Sequence, residues 1–172
     1  MKTGIVITFT TMKIGKLIMF LIVALLMQME ARTQSVASWK ATDVADYIAK
    51  DDSVLVMSFW ATFCKPCVEE IPYLQSITEK YKGQRAKLFL VSLDLPEFFP
   101  AKIEAYAKSK DFYVPMAWLN ETNADYFCPK IDKGWDGSIP CTLIVNNKKG
   151  YRHFIDHQMK PEEFEGELRK EL

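Results

Sequence analysis

Two cysteines, Cys64 and Cys67, are separated by only two residues in the segment Cys64-Lys65-Pro66-Cys67. A dithiol with this spacing closes into a disulfide and reopens by thiol–disulfide exchange. The pair follows a strand-like apolar stretch and begins a helix-like one, so the N–H groups of the first helical turn favour an anion at the first thiol. Lys65 places a cation beside Cys64, and Pro66 suits a first helical turn. The sequence therefore predicts a redox site at Cys64 and Cys67.

Other uses of this cysteine pair fit the sequence less well. A structural disulfide within one helical turn closes a very short loop and stabilises little. A c-type haem attachment requires histidine directly after the second cysteine, where this chain has Val68. A zinc site requires two further ligands, but Cys128 and Cys141 are isolated, and His153 and His157 fall in a predicted hairpin. We therefore expect neither a metal nor an organic cofactor.

The composition indicates one domain without a nucleic-acid surface. Of the 172 residues, 49% are hydrophobic and 13% are aromatic, which is enough for a sizeable core. The 22 basic residues are balanced by 22 acidic ones, so the charge gives no reason to expect nucleic acid as a partner.

The N-terminal residues have the pattern of a targeting segment. Lys13 and Lys16 precede an uncharged apolar run at 17–27, and small and polar residues follow it. We expect residues 1–31 to be a secretory signal peptide or an uncleaved membrane anchor, and 36–172 to be the domain. We favour cleavage because the run is shorter than the ~20 residues of a spanning helix. The chain is then extracytoplasmic, in the periplasm or at the outer face of the cell membrane, and contacts the membrane only if the segment is retained.

The elements around the dithiol alternate between strand and helix. The predicted strands are Val54–Trp60, 87–93, 113–119, Cys141–Asn146 and Tyr151–Ile155. The predicted helices are 42–50, 64–82, 101–110 and 162–172, and the polar, turn-rich residues 120–138 are predicted to be a loop. This order indicates an α/β fold with a mixed sheet, in which the dithiol lies at the carboxyl end of the first core strand.

This pattern resembles the thioredoxin family over residues 36–172. The resemblance is carried by Phe-Trp-Ala-Thr-Phe-Cys-Lys-Pro-Cys at 59–67, by Pro72, and by Ile139 and Pro140 before a late strand. It implies a thioredoxin fold, with a mixed central sheet flanked by helices. It also implies that Pro140 is a cis-proline facing the dithiol and that Ile139 and Pro140 bind an extended segment of a partner.

Two further features resemble the exported TlpA/ResA-like branch of that family. Glu70 follows Cys67 by three residues, and residues 94–112 insert a loop and a helix between core strands. In that branch the acid at this position lies near the dithiol and tunes its proton affinity. Cytosolic thioredoxins have a buried aspartate where this chain has Ser58, so the proton acceptor for Cys67 is expected to be Glu70 or water. The alternative is that Glu70, like Glu69, is a solvated acid of the first helical turn.

The resemblance implies an exported thiol–disulfide oxidoreductase that acts as a reductant, in cytochrome c maturation or in extracytoplasmic disulfide reduction. Cys64 attacks the disulfide of a protein substrate and Cys67 resolves the mixed disulfide. Trp60 and Phe63 are expected to form an apolar rim, although core packing alone would also explain Trp60. A membrane thiol–disulfide carrier is the implied electron donor.

Two other functions are compatible with the fold. The inserted helix also resembles peroxiredoxins, but these have threonine three residues before the peroxidatic cysteine, where this chain has Ala61. A redox-inert thioredoxin-like binding module is the second alternative, and the intact dithiol argues against it.

The remaining cysteines, Cys128 and Cys141, have two interpretations. An exported chain with an even number of cysteines is compatible with a structural disulfide between them, which would close a loop of about a dozen residues beside the dithiol. Alternatively, Cys141 is a small buried core residue and Cys128 is a free thiol in a loop.

Overall fold

The computed structural model describes residues 35–172, which contain one six-stranded mixed sheet. Its strands lie in the order β1-β4-β3-β2-β5-β6, and their bounds are Ala37–Trp39 (β1), Val54–Trp60 (β2), Ala86–Ser92 (β3), Met116–Leu119 (β4), Cys141–Asn146 (β5) and Tyr151–Ile155 (β6). The pairs β1–β4, β4–β3 and β3–β2 are parallel, and β2–β5 and β5–β6 are antiparallel. This confirms the predicted mixed sheet and the predicted hairpin of β5 and β6.

Helices cover both faces of the sheet. They are Ala41–Lys50 (α1), Lys65–Lys80 (α2), Ala101–Ser109 (α3), Ala124–Ile131 (α4) and Pro161–Arg169 (α5), with short 3-10 turns at Lys82–Gln84 and Pro96–Phe98. One face packs against residues of α2, α3 and α5, and the other against residues of α1 and α4. The predicted α/β fold with a loop and helix inserted between core strands is confirmed.

Strand β2 is the central strand that leads to the dithiol. All seven of its residues are buried, as expected for a strand with partners on both sides and helices on both faces. Its side chains alternate between the two apolar clusters: Val56 and Trp60 belong to one, and Leu55, Met57 and Phe59 to the other. The carboxyl end of β2 is therefore held by a strand on each side and by packing on both faces of the sheet.

The predicted loop at 120–138 was partly wrong, because it contains the helix α4. This helix buries Phe127, Cys128 and Ile131, which share one face at spacings of one and four residues. Its other residues include Asp125, Lys130 and Pro129, which give the segment the composition of a loop. Packing of the buried face against the sheet overrides that local signal.

Several element ends also differ from the sequence prediction. Strand β1 was not predicted, because three residues carry too little pattern. The third predicted strand begins at Met116 rather than at residue 113, and Tyr113 is 61% exposed. Helix α1 is capped by Lys40, and Asp43 accepts the Lys40 N–H at 2.8 Å from its third position.

The predicted targeting segment, residues 1–31, lies outside the described residues. Within 35–172, none of the helices is long and apolar enough to cross a bilayer.

Candidate active site

Cys64 and Cys67 are joined by a disulfide at the N-terminus of α2. Cys64 is the N-cap residue and Cys67 lies in the first turn, with 5.3 Å between their Cα atoms. The Cys67 N–H donates to the Cys64 Sγ at 3.4 Å, so the Cys64 sulfur lies at the positive end of the helix dipole. Cys64 is 7% exposed, whereas Cys67 is fully buried. An external thiol or disulfide can therefore reach Cys64 alone.

The turn that presents Cys64 begins where β2 ends. The Cys64 N–H donates to the Ala61 carbonyl at 3.0 Å and closes a tight turn. Thr62, inside this turn, is bound by Asp94: its N–H lies 3.1 Å from each carboxylate oxygen, and its hydroxyl donates to Oδ1 at 2.5 Å. Asp94 follows β3, whose carboxyl end lies beside that of β2.

Asp94 is itself held from two other strands. The Ser92 hydroxyl donates to Asp94 Oδ2 at 2.8 Å, and the Trp118 indole N–H donates to the Asp94 carbonyl at 2.7 Å. Asp94 is only 4% exposed. Sequence reasoning placed Asp94 in a loop and missed this role. An acidic residue just beyond a strand parallel to β2 was the available signal, because the carboxyl ends of parallel strands meet.

Glu70 lies in the core and not on the solvated face of α2. It is fully buried, and neither carboxylate oxygen makes a hydrogen bond of ordinary geometry within the described structure. Burial raises the pKa of Glu70 to about 8, while the Met159 backbone amide and His157 lower it in part. The alternative of a solvated Glu70 is therefore wrong. The spacing Cys67, Glu70, Ile71 carried the signal, because residues three and four apart share one helix face.

Glu69 behaves as predicted for a solvated acid. Its side chain is 54% exposed and lies 3.7 Å from the Nζ of Lys65, which is 86% exposed. Lys65 is thus next to Cys64 in the chain, but its ammonium group is directed to Glu69 and to solvent. Pro66 occupies the first turn of α2, as predicted.

Of the two residues predicted to form an apolar rim, Phe63 is exposed and Trp60 is not. Trp60 is fully buried and packs against Phe112 and Tyr106, with ring centroids 5.4 and 6.3 Å away, so it belongs to the core. Phe63 is 67% exposed, and Leu95, on the loop that Asp94 begins, is 54% exposed. Phe63 and Leu95 are thus the most exposed large apolar side chains on the two loops joined by Asp94.

The peptide bond between Ile139 and Pro140 is cis, as the resemblance implied. The next residue, Cys141, pairs with Phe59 of β2 in the antiparallel register. Pro140 therefore lies beside the end of β2 and the turn that follows it. Pro140 is buried, and Ile139 is half-buried against both apolar clusters. Binding of a partner segment by these residues stays a prediction.

Ser58 is fully buried, and its hydroxyl has no hydrogen-bond partner in the described structure. It faces Thr142 across β2 and β5, and the Thr142 hydroxyl is equally buried and unpaired. The position that holds an aspartate in cytosolic thioredoxins is thus a neutral polar site here.

Cys128 and Cys141 are free thiols, so the interpretation of a structural disulfide between them is wrong. Both are buried, and Cys128 lies on α4 rather than in a loop. Burial raises the pKa of Cys128 to about 11 and that of Cys141 further. Neutral thiols are poor nucleophiles, which makes both residues unreactive at neutral pH.

We expect two free thiols per chain when the oxidised protein is denatured and titrated with a thiol reagent, and four after full reduction. The reason is that only Cys64 and Cys67 are bonded. A count of zero before reduction would show that Cys128 and Cys141 also pair.

Among residues 35–172, no group of three or more histidine, cysteine, aspartate or glutamate side chains is placed to hold a metal ion.

The chain is similar to several named proteins. It is 28% identical over 122 residues to thiol-disulfide oxidoreductase ResA from Bacillus cereus, covering 66% of this chain and 61% of that protein. It is 24% identical over 131 residues to ResA from Geobacillus kaustophilus, covering 73% and 65%. Thioredoxin-like protein YneN from Bacillus subtilis is 31% identical over 101 residues, covering 58% and 54%. The chain thus spans less than two thirds of the length of these relatives.

Solved structures share the fold. StoA from Bacillus subtilis superposes with a TM-score of 0.54 and 22% identity, covering 71% of this chain and 86% of StoA. A secreted Mycobacterium tuberculosis disulfide oxidoreductase superposes with a TM-score of 0.56 and 13% identity, covering 82% and 98%. The AhpC/TSA family matches residues 27–153. With a thioredoxin fold and relatives of the TlpA/ResA type, this chain belongs to the AhpC/TSA family.

Proposed function

We propose that this chain is an extracytoplasmic thiol–disulfide oxidoreductase that reduces protein disulfides through Cys64 and Cys67. The observation that carries the proposal is the disulfide at the N-terminus of α2, with one sulfur reachable and the other buried. A purely structural disulfide at this spacing would stabilise little, because it joins residues only three apart in the chain and so closes a very short loop. The names of the ResA relatives support the same activity.

The reaction starts from the reduced dithiol. The Cys64 thiolate attacks one sulfur of the substrate disulfide; a bond forms between the two sulfurs, and the other substrate sulfur leaves with the electron pair and takes up a proton. Cys67 then loses its proton and attacks the Cys64 sulfur. The substrate's second sulfur leaves as a thiolate, so two electrons have moved to the substrate. The enzyme ends with the Cys64–Cys67 disulfide that the structure contains.

Glu70 is suited to accept the proton of Cys67. It lies one helical turn after Cys67 on the same buried face, and burial raises its pKa to about 8. In its deprotonated form Glu70 can take a proton from Cys67, and in its protonated form it can return one. The site at Ser58 offers no carboxylate for this step, so Glu70 or a water molecule takes the role.

Compartment and partners belong to the same proposal. Residues 1–31 act as a signal peptide or an anchor, and 36–172 form the thioredoxin-like domain. The substrates are protein disulfides bound beside Ile139 and Pro140, and a membrane thiol–disulfide carrier returns electrons to Cys64 and Cys67. The pattern of Lys13, Lys16 and the apolar run supports export.

A direct test is to reduce the protein, remove the reductant, and add either insulin or hydrogen peroxide. We expect about one insulin disulfide reduced per chain, and peroxide consumption no faster than that of a free thiol. Rapid peroxide consumption would favour the peroxidase alternative, and no reaction with insulin would favour an inert module. A reduction potential of about −270 mV for the Cys64–Cys67 couple would indicate a reductant, and one of about −120 mV would indicate an oxidant.

A further inference from the structure

Asp94 connects three strands to the turn that presents Cys64. Its side chain accepts from the Thr62 N–H, the Thr62 hydroxyl and the Ser92 hydroxyl, and its carbonyl accepts from Trp118. Alongside it, the Leu93 N–H donates to the Trp60 carbonyl at 2.7 Å. Asp94 is 4% and Ser92 0% exposed, and Thr62 is half-buried. Hydrogen bonds to a charged group in such surroundings are among the stronger ones in proteins.

This network contacts the turn that leads from β2 to Cys64. Between Trp60, which is fixed in the core, and Cys64, which caps α2, the chain has three residues, and Thr62 is the middle one. The Cys64 N–H closes the turn on the Ala61 carbonyl, but the Phe63 side chain is exposed and does not anchor it. Besides the buried Ala61 side chain, the hydrogen bonds from Thr62 to Asp94 are therefore the contacts that hold this turn against the end of β3.

We propose that Asp94 is a positioning residue that keeps Cys64 at the N-terminus of α2, where the helix stabilises its thiolate. This inference rests on the proposed function, since it concerns the same nucleophile. Stabilisation by a helix N-terminus falls off within the first turn. Without the hydrogen bonds to Asp94, the turn can move and the Cys64 sulfur can leave its position at the helix N-terminus. The Cys64 thiolate then forms less readily.

The opposite effect is expected if Asp94 acts only as a nearby negative charge. An anion close to Cys64 opposes thiolate formation, so its removal would lower the pKa of the Cys64 thiol. Loss of positioning raises that pKa instead. The sign of the change therefore distinguishes positioning from charge.

The test is the pH dependence of Cys64 alkylation by iodoacetamide in the reduced protein, with the modified residue located by mass spectrometry. We expect Asp94→Ala to slow alkylation at pH 6 by about tenfold, which corresponds to about one pH unit in the thiol pKa. At pH values above both pKa values the rates converge. Asp94→Asn keeps an acceptor for Thr62 and should stay within about twofold of wild type at pH 6.

A matched control lies at the opposite end of β2 and β3. Asp51 accepts the Ser53 N–H at 2.8 Å and forms an ion pair with Lys87 at 2.7 Å. Asp51→Ala removes a comparable network far from Cys64. It should lower the melting temperature without changing the alkylation profile.

The proposal is overturned if folded Asp94→Ala has an unchanged or lowered Cys64 pKa. If Asp94→Ala does not fold, Thr62→Val and Thr62→Ser give the answer. Valine should slow alkylation at pH 6 by about threefold while serine, which keeps the hydroxyl, restores it; equal profiles for both overturn the proposal. Because alkylation reports on the thiol itself, these outcomes do not depend on whether the chain reduces any partner.

Discussion

Replacing Cys64 with serine should abolish insulin reduction, whereas replacing Cys67 with serine should preserve the first attack and trap a mixed disulfide. The cause is the difference in access: Cys64, at the N-cap, is 7% exposed, and Cys67 is fully buried in the same turn. Without Cys64 no thiol is placed to attack, so the rate should fall to that of the uncatalysed exchange. Without Cys67 the bond between Cys64 and the substrate cannot be resolved within the chain.

Non-reducing electrophoresis after incubation with oxidised insulin measures both results. The Cys67→Ser variant should show a band at the combined mass that dithiothreitol removes, and the Cys64→Ser variant should not. Cys128→Ser is the matched control, because it also removes one sulfur but lies on α4; it should reduce insulin as wild type does. Faster alkylation of Cys67 than of Cys64 at neutral pH would contradict this assignment.

Replacing Glu70 with glutamine should remove a pH dependence of stability from the oxidised protein. The folded-state pKa of Glu70, about 8, is raised from the ordinary value of 4.5 by burial. Between these two pH values the folded chain keeps a proton that the unfolded chain has lost. The stability contributed by this group is therefore complete below about pH 4.5 and falls as pH rises to about 8. Each pH unit in that window multiplies the unfolding constant by about ten.

Urea denaturation at several pH values between about 4.5 and 9 measures this slope. The unfolding free energy of wild type should fall as pH rises through the window. For Glu70→Gln the slope of this fall should be smaller, by the equivalent of about one proton. Glu69→Gln is the matched control, since the neighbouring acid is 54% exposed, and it should follow wild type. In the reduced protein, Glu70→Gln should also shift the pH dependence of thiolate formation. Parallel slopes for wild type and Glu70→Gln would rule out a neutral, buried Glu70.

The parts of the site that the sequence predicted correctly are local in the chain. The dithiol, the strand before it and the helix after it occupy consecutive residues, and the hairpin of β5 and β6 is marked by two strand-like segments around a tight turn. The place of Glu70 was also readable in principle, because Cys67, Glu70 and Ile71 share one helix face. Glu69 points about 100° away, which explains why two adjacent acids have different surroundings.

The parts that were missed depend on contacts between distant segments. Thr62 and Asp94 are 32 residues apart, and the signal for their contact is only that an acidic residue follows a strand parallel to β2. Their contact follows from the parallel pairing of β2 and β3, so that pairing has to be predicted before the contact can be. Helix α4 is a similar case, because Phe127 and Ile131 stabilise it only when the sheet is present to bury their side chains.

The two edge strands of the described sheet affect how copies of this chain meet. An edge strand offers unpaired backbone groups to another chain, and long flat edges promote aggregation. Here β1 has only three residues. On β6, Arg152 lies 3.1 Å from Asp132 and His153 lies 3.2 Å from Glu167, which puts polar, partnered side chains along the edge. Pairing of two copies through these sheet edges is therefore disfavoured.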